Sequence, residues 1–134
     1  MNPTELLATT MFSETKDPED AVAIAHTILN RTKRPNRFGG SLEEVIFAPS
    51  QFSGVGSKEW NKVVNRQMNP TEEKIFKNFN RIASMVLSGK SEDPTGGADH
   101  YANLEISKPM WAKVYKKTGQ FGKHTYFKET LKKK

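Results

Sequence analysis

The stretch from residue 17 to residue 35 constrains the fold of this chain more than any other. It opens with Asp17-Pro18-Glu19-Asp20, where an N-capping side chain precedes a proline at the first helical position, and this order predicts a helix start. The apolar residues that follow recur with the helical period of about 3.6 residues, and they are Ala21, Ile24, Ala25, Ile28 and Leu29. Because Pro35 stops the pattern, we predict a central buried helix that ends shortly before it.

The same kind of signal predicts a helix on each side of this one. The sequence Asn-Pro-Thr-Glu occurs at residues 2–5 and again at residues 69–72, and each copy suits a capped helix start. We interpret the copies as repeated helix starts rather than an internal repeat, because the residues after them differ. They predict a first helix that runs to about Glu14 and a long helix over about residues 71–87, ended by Gly89.

Shorter elements are predicted between and after these helices. Ser41 and Ser57 suit the N-caps of two short helices, and Ser107 suits the N-cap of a last full helix closed by Gly119. The remaining segments favour loop or extended structure, and they are residues 36–40, 49–57, 102–106 and 121–127. We therefore predict one mainly helical (α+β) domain over residues 1–134, with a small β element and a basic tail at about residues 128–134.

Length and composition narrow the classes of function. A chain of 134 residues suits one domain, and its lack of cysteine excludes a disulfide framework and thiolate chemistry. No run approaches the roughly 20 apolar residues of a membrane span, and residues 1–11 do not follow the pattern of a signal peptide, so we expect synthesis in a cytoplasm. The 21 basic and 15 acidic residues, a net charge of +6, favour a polyanionic partner such as nucleic acid, anionic lipid or a wall polymer.

Two polar segments are candidates for function. Residues 93–101 combine a proline and two glycines, which shape a turn, with the trio Asp99-His100-Tyr101. Residues 51–56 begin with Gln51-Phe52-Ser53. A plain connector needs the glycines but not the polar trio, and the alternative is a helix-ending turn whose histidine and tyrosine pack nearby.

Glu14 is the strongest single candidate for acid–base chemistry. It lies at the predicted end of the first helix, where the negative end of the helix dipole favours a protonated carboxyl group. Partial burial would favour the same form, which suits a general acid at neutral pH. The alternative interpretation is an ordinary surface glutamate.

Other catalytic arrangements have weaker sequence support. Ser53, His100 and Asp99 supply the groups of a nucleophilic triad, but no strand-to-helix elbow surrounds Ser53. The three histidines, which include His26 and His124, lack the spacing of a helical zinc motif, so a zinc site at His100, His124 and an aspartate is a minor alternative. Acidic residues along every predicted helix argue against specific nucleic-acid binding.

Several segments, taken in order, resemble the cell wall hydrolase family typified by the SleB spore cortex-lytic enzymes. They are Glu14 after an apolar helix, Ala-His-Thr-Ile-Leu-Asn-Arg at residues 25–31, Gln51-Phe52-Ser53, Val-Leu-Ser-Gly at residues 86–89, residues 93–101, Pro109 with Trp111, and Gly122 with His124 and Phe127. The match covers nearly the whole chain. The chain departs from the family in the Thr15-Lys16-Asp17-Pro18 that follows Glu14, where a glycine-containing stretch is usual, and in lacking the usual cysteine.

The resemblance implies a lysozyme-like, largely helical fold related to the lytic transglycosylases. It also implies cleavage of the β-1,4 bond between N-acetylmuramic acid and N-acetylglucosamine in peptidoglycan, with Glu14 as the acid and with neither a cofactor nor a metal. The predicted substrate-binding residues are Gln51, Phe52, Ser53, Thr95, His100 and Tyr101, with Asn30, Asp99, Trp111 and His124 as further candidates.

Alternatives for the reaction stay open at this point. A transglycosylase would use Glu14 as acid and then as base, whereas a hydrolytic muramidase would need a second carboxylate. The candidates for that second group are Asp17, Glu19, Asp20, Asp93 and Asp99. A metal-dependent peptidoglycan amidase and a non-enzymatic module that binds glycan or nucleic acid are further alternatives.

A short, basic chain without a leader is similar to a phage endolysin, and a virion-borne or otherwise exported lysin would look similar. Such a protein is made in the bacterial host cytoplasm and acts on the wall after release into the periplasm. We accordingly expect a monomer whose partner is the peptidoglycan glycan strand, with weak contact to anionic membrane or wall polymer through the basic tail.

Overall fold

A computed structural model describes residues 1–49 and 51–130 of the chain. Its helices are α1 (Pro3–Glu14), α2 (Pro18–Thr32), α3 (Pro35–Phe38), α4 (Leu42–Ile46), α5 (Lys58–Val64) and α6 (Pro70–Leu87). Its strands are β1 (His100–Ala102), β2 (Lys116–Phe121) and β3 (His124–Lys128), with a single 3₁₀ turn (Met110–Lys113) before β2. None of the helices in the described residues is long and apolar enough to cross a membrane.

Helix α2 is the centre of the fold, as its sequence pattern predicts. Asp17 caps it by accepting a hydrogen bond from the Glu19 N–H at 3.0 Å, and its apolar face is completely buried from Ala21 to Ile28. The helix packs against α1, α3, α4 and α6 and against the strands β1 and β2. These contacts on several sides explain why most residues of α2 from Asp20 to Ile28 are buried.

The two Asn-Pro-Thr-Glu segments both begin helices. Asn2 accepts a hydrogen bond from the Glu5 N–H at 2.8 Å, and Asn69 accepts one from the Glu72 N–H at 2.8 Å. Glu72 returns the contact by accepting from the Asn69 N–H at 3.0 Å, which completes a capping box. The helices α1 and α6 that follow these caps pack along each other.

The three strands form one antiparallel sheet in the order β1-β3-β2. The register pairs His100 of β1 with Phe127 of β3, and Phe121 of β2 with His124 of β3. Neighbouring residues of a strand face opposite sides, so His100 and Tyr101 lie on different faces of the sheet. This alternation decides which residue of the Asp99-His100-Tyr101 trio reaches the candidate site.

The predicted last full helix is wrong. Only the 3₁₀ turn forms after Ser107, and Gly119, the expected helix end, pairs with Tyr126 inside β2. Val114, Tyr115 and Thr118 favour extended structure, and the pairing of residues 116–121 with β3 satisfies backbone groups there in place of a helix.

Smaller differences concern segment bounds. The predicted loop at residues 36–40 overlaps the short helix α3, and the extended piece at residues 102–106 leaves the sheet after Ala102. The predicted basic tail falls largely on residues 131–134, which lie outside the described residues. A single domain over residues 1–134 stays a prediction.

Candidate active site

A groove of about 480 Å³ runs past the C-terminal end of α1 and along β1. It brings together seven residues that the sequence analysis singles out, namely Glu14, Gln51, Phe52, Ser53, Tyr101, Trp111 and His124. It also contains polar residues that the sequence analysis did not assign to a site, namely Arg31, Asn103, Ser107 and Lys123. We call this feature the groove.

Glu14, the last residue of α1, is half-buried in the groove wall. Its Oε1 accepts a hydrogen bond from the Tyr101 hydroxyl at 2.7 Å. Burial, followed by the neighbouring Glu14 carboxylate, holds the pKa of Tyr101 well above its ordinary value, so the phenol remains a donor. Lys16, two residues further along the chain, donates to the Phe12 carbonyl at 2.5 Å and forms an ion pair with Glu59 at 2.8 Å.

The turn after Gln51-Phe52-Ser53 lies directly against this carboxyl group. A Cβ atom on Gly54 would come within 2.6 Å of Glu14 Oε2 and 2.9 Å of Ser13 Cβ. Only a glycine leaves room for so close an approach of the turn to α1. Glu14 is therefore held between Tyr101 on its Oε1 side and the backbone of this turn on its Oε2 side.

Arg31 is a groove residue that the sequence analysis did not assign to the site. Its Nε donates to the Asp99 carbonyl at 2.7 Å and its Nη1 donates to Gln51 Oε1 at 3.1 Å. Its guanidinium also lies over the Phe52 ring, 5.1 Å from the centroid. Burial lowers the pKa of this side chain. The signal that could have identified it is its place at the end of the segment at residues 25–31.

His124, at the start of β3, is buried except where it lines the groove. Its Nδ1 is 2.6 Å from Asp20 Oδ2. Its ring meets the Tyr101 ring edge-on, with 5.0 Å between the centroids. Tyr101 therefore lies between His124 and Glu14.

Thr95 and Asn30, both predicted to bind substrate, do not line the groove. Thr95 is fully buried, and its hydroxyl donates to Asp93 Oδ1 at 2.6 Å. The Asn30 amide donates to Asp93 Oδ2 and to the Ala98 carbonyl, each at 2.9 Å. Both residues hold the 93–101 turn, in which Gly96 and its neighbour adopt left-handed backbone angles.

His100 and Asp99 are also outside the groove. The His100 Nδ1 is 2.9 Å from Asp99 Oδ1, and the imidazole packs 4.8 Å from the Trp111 ring and 4.9 Å from the Tyr115 ring. Asp99 forms an ion pair with Arg34 at 2.8 Å. Because β1 alternates its side chains, Tyr101 faces Glu14 and His100 faces away.

The structure does not bring together the residues of the suggested nucleophilic triad or those of the suggested zinc site. Ser53 lies in the groove, but His100 and Asp99 of the suggested triad do not. His100 and His124, the histidines of the zinc alternative, contact different aspartates. Within residues 1–49 and 51–130, no group of three or more histidine, aspartate or glutamate side chains is placed to hold a metal ion.

Asp93 is expected to anchor the turn, with an effect on stability that depends on pH. Burial raises the pKa of its carboxyl group, but hydrogen bonds from Thr95 and Asn30 outweigh burial and leave the pKa below its ordinary value. The ionised form therefore contributes stability above the ordinary carboxyl pKa, and this contribution is lost as the pH falls through the lowered value. Asp93→Asn should lower the free energy of unfolding by about 2 kcal/mol at neutral pH.

Urea unfolding at pH 7 and at pH 3 tests this prediction. The difference between the parent and Asp93→Asn should shrink at pH 3, which lies below the ordinary carboxyl pKa, so that part of the stability from the ionised form is already lost. Glu92→Gln removes a neighbouring exposed carboxylate and should have little effect at either pH. A difference of equal size at both pH values would contradict the assignment of the effect to the charge of Asp93.

Comparisons with known proteins agree with this architecture. The family described as Cell Wall Hydrolase matches residues 15–127. A spore cortex-lytic enzyme of Halalkalibacterium halodurans is 28% identical over 127 residues, which are 93% of this chain and 34% of that enzyme. The chain therefore spans about a third of the length of this curated relative.

Two solved structures share the fold. The catalytic domain of the germination-specific lytic transglycosylase SleB from Bacillus anthracis matches with a TM-score of 0.73 and 25% identity, over 96% of this chain and 95% of that chain. The catalytic domain of the Bacillus cereus SleB protein matches with a TM-score of 0.66 and 26% identity, over 95% of this chain and 90% of that chain. The expected lysozyme-like α+β fold is confirmed, and the chain belongs to the cell wall hydrolase family of the SleB type.

Proposed function

We propose that this protein is a peptidoglycan glycosidase that cleaves the β-1,4 bond between N-acetylmuramic acid and N-acetylglucosamine. Family membership and the likeness to a lytic transglycosylase domain support cleavage of peptidoglycan. Glu14 lies one residue before the family match, so its assignment rests on geometry. The observation that carries it is that Glu14 is the only carboxylate among the described residues that line the groove.

The mechanism uses this one carboxyl group twice. Protonated Glu14 donates its proton to the glycosidic oxygen as an oxocarbenium-like transition state forms and the bond to C1 of muramic acid breaks. The resulting carboxylate then accepts the proton of the muramic C6 hydroxyl while that oxygen bonds to C1, which gives a 1,6-anhydro product. Tyr101 orients the carboxyl group by donating to Oε1, which leaves Oε2 for the proton transfer.

The surroundings of the other candidate carboxylates support a transglycosylase over a hydrolase. Asp20 is fully buried, and Asp93 and Asp99 are held by hydrogen bonds outside the groove. Asp17 caps α2 and Glu19 is exposed on its first turn. A hydrolase of the usual kind needs two carboxyl groups about 5–10 Å apart across the scissile bond, and this groove supplies only Glu14.

Product analysis in heavy-oxygen water tests the proposed reaction. Digestion of purified peptidoglycan should release fragments that end in 1,6-anhydro-muramic acid without the heavy isotope, because no water takes part. Mass spectrometry distinguishes this product from reducing ends that carry heavy oxygen. Labelled reducing ends would replace the transglycosylase assignment with a muramidase, and free stem peptides would indicate an amidase.

The remaining expectations, about the biological context and the partners of the protein, stay predictions. They concern the phage context, host lysis, the monomeric state, synthesis in the cytoplasm and contact of the basic tail with anionic polymer. If no soluble fragments appear while the protein still binds glycan or nucleic acid, the non-enzymatic alternative is favoured.

A further inference from the structure

A buried carboxylate–imidazole pair borders the groove and has no part in the mechanism above. Asp20, in the first turn of α2, has no exposed surface. Its Oδ2 accepts a hydrogen bond from His124 Nδ1 at 2.6 Å, and its Oδ1 accepts one from the Tyr126 hydroxyl at 2.5 Å. A carboxylate buried so completely needs donors of this kind, so the pair is held firmly in place.

These contacts determine which nitrogen of His124 is available. Burial and the charge of Asp20 raise the pKa of Tyr126 well above its ordinary value, so Tyr126 remains a donor to Asp20. In the tautomer that carries its proton on Nδ1, directed to Asp20, the imidazole has its acceptor at Nε2. Among residues 1–49 and 51–130, Nε2 has no hydrogen-bond partner, and His124 meets solvent at the groove.

We propose that His124 is a second substrate-contacting residue and that Asp20 is the positioning residue that fixes its tautomer. The Nε2 atom accepts a hydrogen bond from a hydroxyl or acetamido N–H group of the glycan bound beside Glu14. The Tyr101 ring, which contacts His124 and carries the hydroxyl bound to Glu14, sets the two groups along the same wall. This inference rests on the proposed function, because it takes the groove contents to be a glycan.

A purely structural role for the pair makes a different prediction. Holding β3 on α2 needs only the Nδ1 contact to Asp20, whereas substrate contact needs Nε2. Asparagine can place its amide nitrogen near the position of Nδ1 but has no atom at the position of Nε2. His124→Asn therefore separates the two roles.

Kinetics on a soluble glycan, the tetrasaccharide (GlcNAc-MurNAc)₂, provide the first test. His124→Asn should keep a near-parental melting temperature and lower kcat/KM roughly tenfold, the loss of one substrate hydrogen bond. Tyr126→Phe removes the other donor to Asp20, so it should lower the melting temperature and retain more kcat/KM than His124→Asn. Parental kcat/KM in His124→Asn would overturn the proposal.

Nuclear magnetic resonance of isotope-labelled histidine provides the second test, and only three histidines need assignment. In Glu14→Gln protein, His124 should carry its proton on Nδ1, and the Nε2 resonance should move when the same tetrasaccharide is added. Asp20→Asn should disturb this tautomer. An Nε2 resonance that stays unchanged at saturating glycan would overturn the proposal.

The two proposals fail in different ways. Cleavage of peptidoglycan by Glu14→Gln would refute the role of Glu14, whatever His124 does. An inert Glu14→Gln protein that binds the tetrasaccharide without a response from His124 would refute only the role of the Asp20–His124 pair.

Discussion

Glu14→Gln is expected to lower the kcat of peptidoglycan cleavage by a factor of roughly 100 to 10,000, the usual contribution of a general acid or base. The amide has nearly the shape of the carboxyl group and still accepts the hydrogen bond that Tyr101 donates to Oε1. It cannot, however, donate a proton to the glycosidic oxygen or take one from a hydroxyl group. The melting temperature should therefore stay near that of the parent.

Release of soluble muropeptides and thermal melting measure the two parts of this prediction. Glu105→Gln is the matched control, because it makes the same chemical change at an exposed residue near the groove. It should retain parental activity. Lysis by Glu14→Gln at a rate near that of Glu105→Gln would refute the assignment of Glu14.

Gly54→Ala is expected to lower kcat roughly 100-fold, because a small displacement of a reacting group is costly to catalysis. The added Cβ atom would clash with the Ser13 hydroxyl oxygen and would come within 2.6 Å of Glu14 Oε2, which is closer than non-bonded atoms approach. Either the Ser13 and Glu14 side chains or the turn at residues 51–57 must then move. Both movements change the position of the proton that Glu14 transfers.

Gly56→Ala is the control for this substitution. Gly56 has a φ of +77°, and a Cβ atom there would meet nothing within 4 Å. Alanine at this position should cost roughly 1–2 kcal/mol of stability through backbone strain but should keep more activity than Gly54→Ala. The reverse order of kcat values for the two variants would contradict the steric explanation.

Some of the residues that line the groove could be predicted from the sequence, and others could not. Glu14, Phe52 and Tyr101 were predicted as site residues, and the structure brings them together from three distant parts of the chain. Arg31 was missed, because an arginine at the end of a helix is usually exposed, and only the fold buries it between Gln51 and Phe52.

In the 93–101 turn, by contrast, residues were assigned to the groove that do not line it. The composition of the turn marked it correctly as a special segment, but Thr95 and His100, which were assigned to the groove, lie outside it. Which of two adjacent strand residues faces the groove depends on the register of β1 against β3. The residues of the turn alone cannot predict that register.

The sequence by itself determined the helices α1, α2 and α6, because caps and apolar periodicity depend on residues only a few positions apart. The asparagine and aspartate caps of α1, α2 and α6 and the buried face of α2 are of this kind. The tertiary structure decided that residues 116–121 pair with β3 instead of closing a helix, that Tyr101 reaches Glu14, and that Asp20 holds His124. The β2–β3 hairpin is local, but a two-stranded hairpin is at best marginally stable alone, so it depends on β1 and on packing against α2. The other two contacts join residues 87 and 104 positions apart in the chain, so no local sequence signal can predict them.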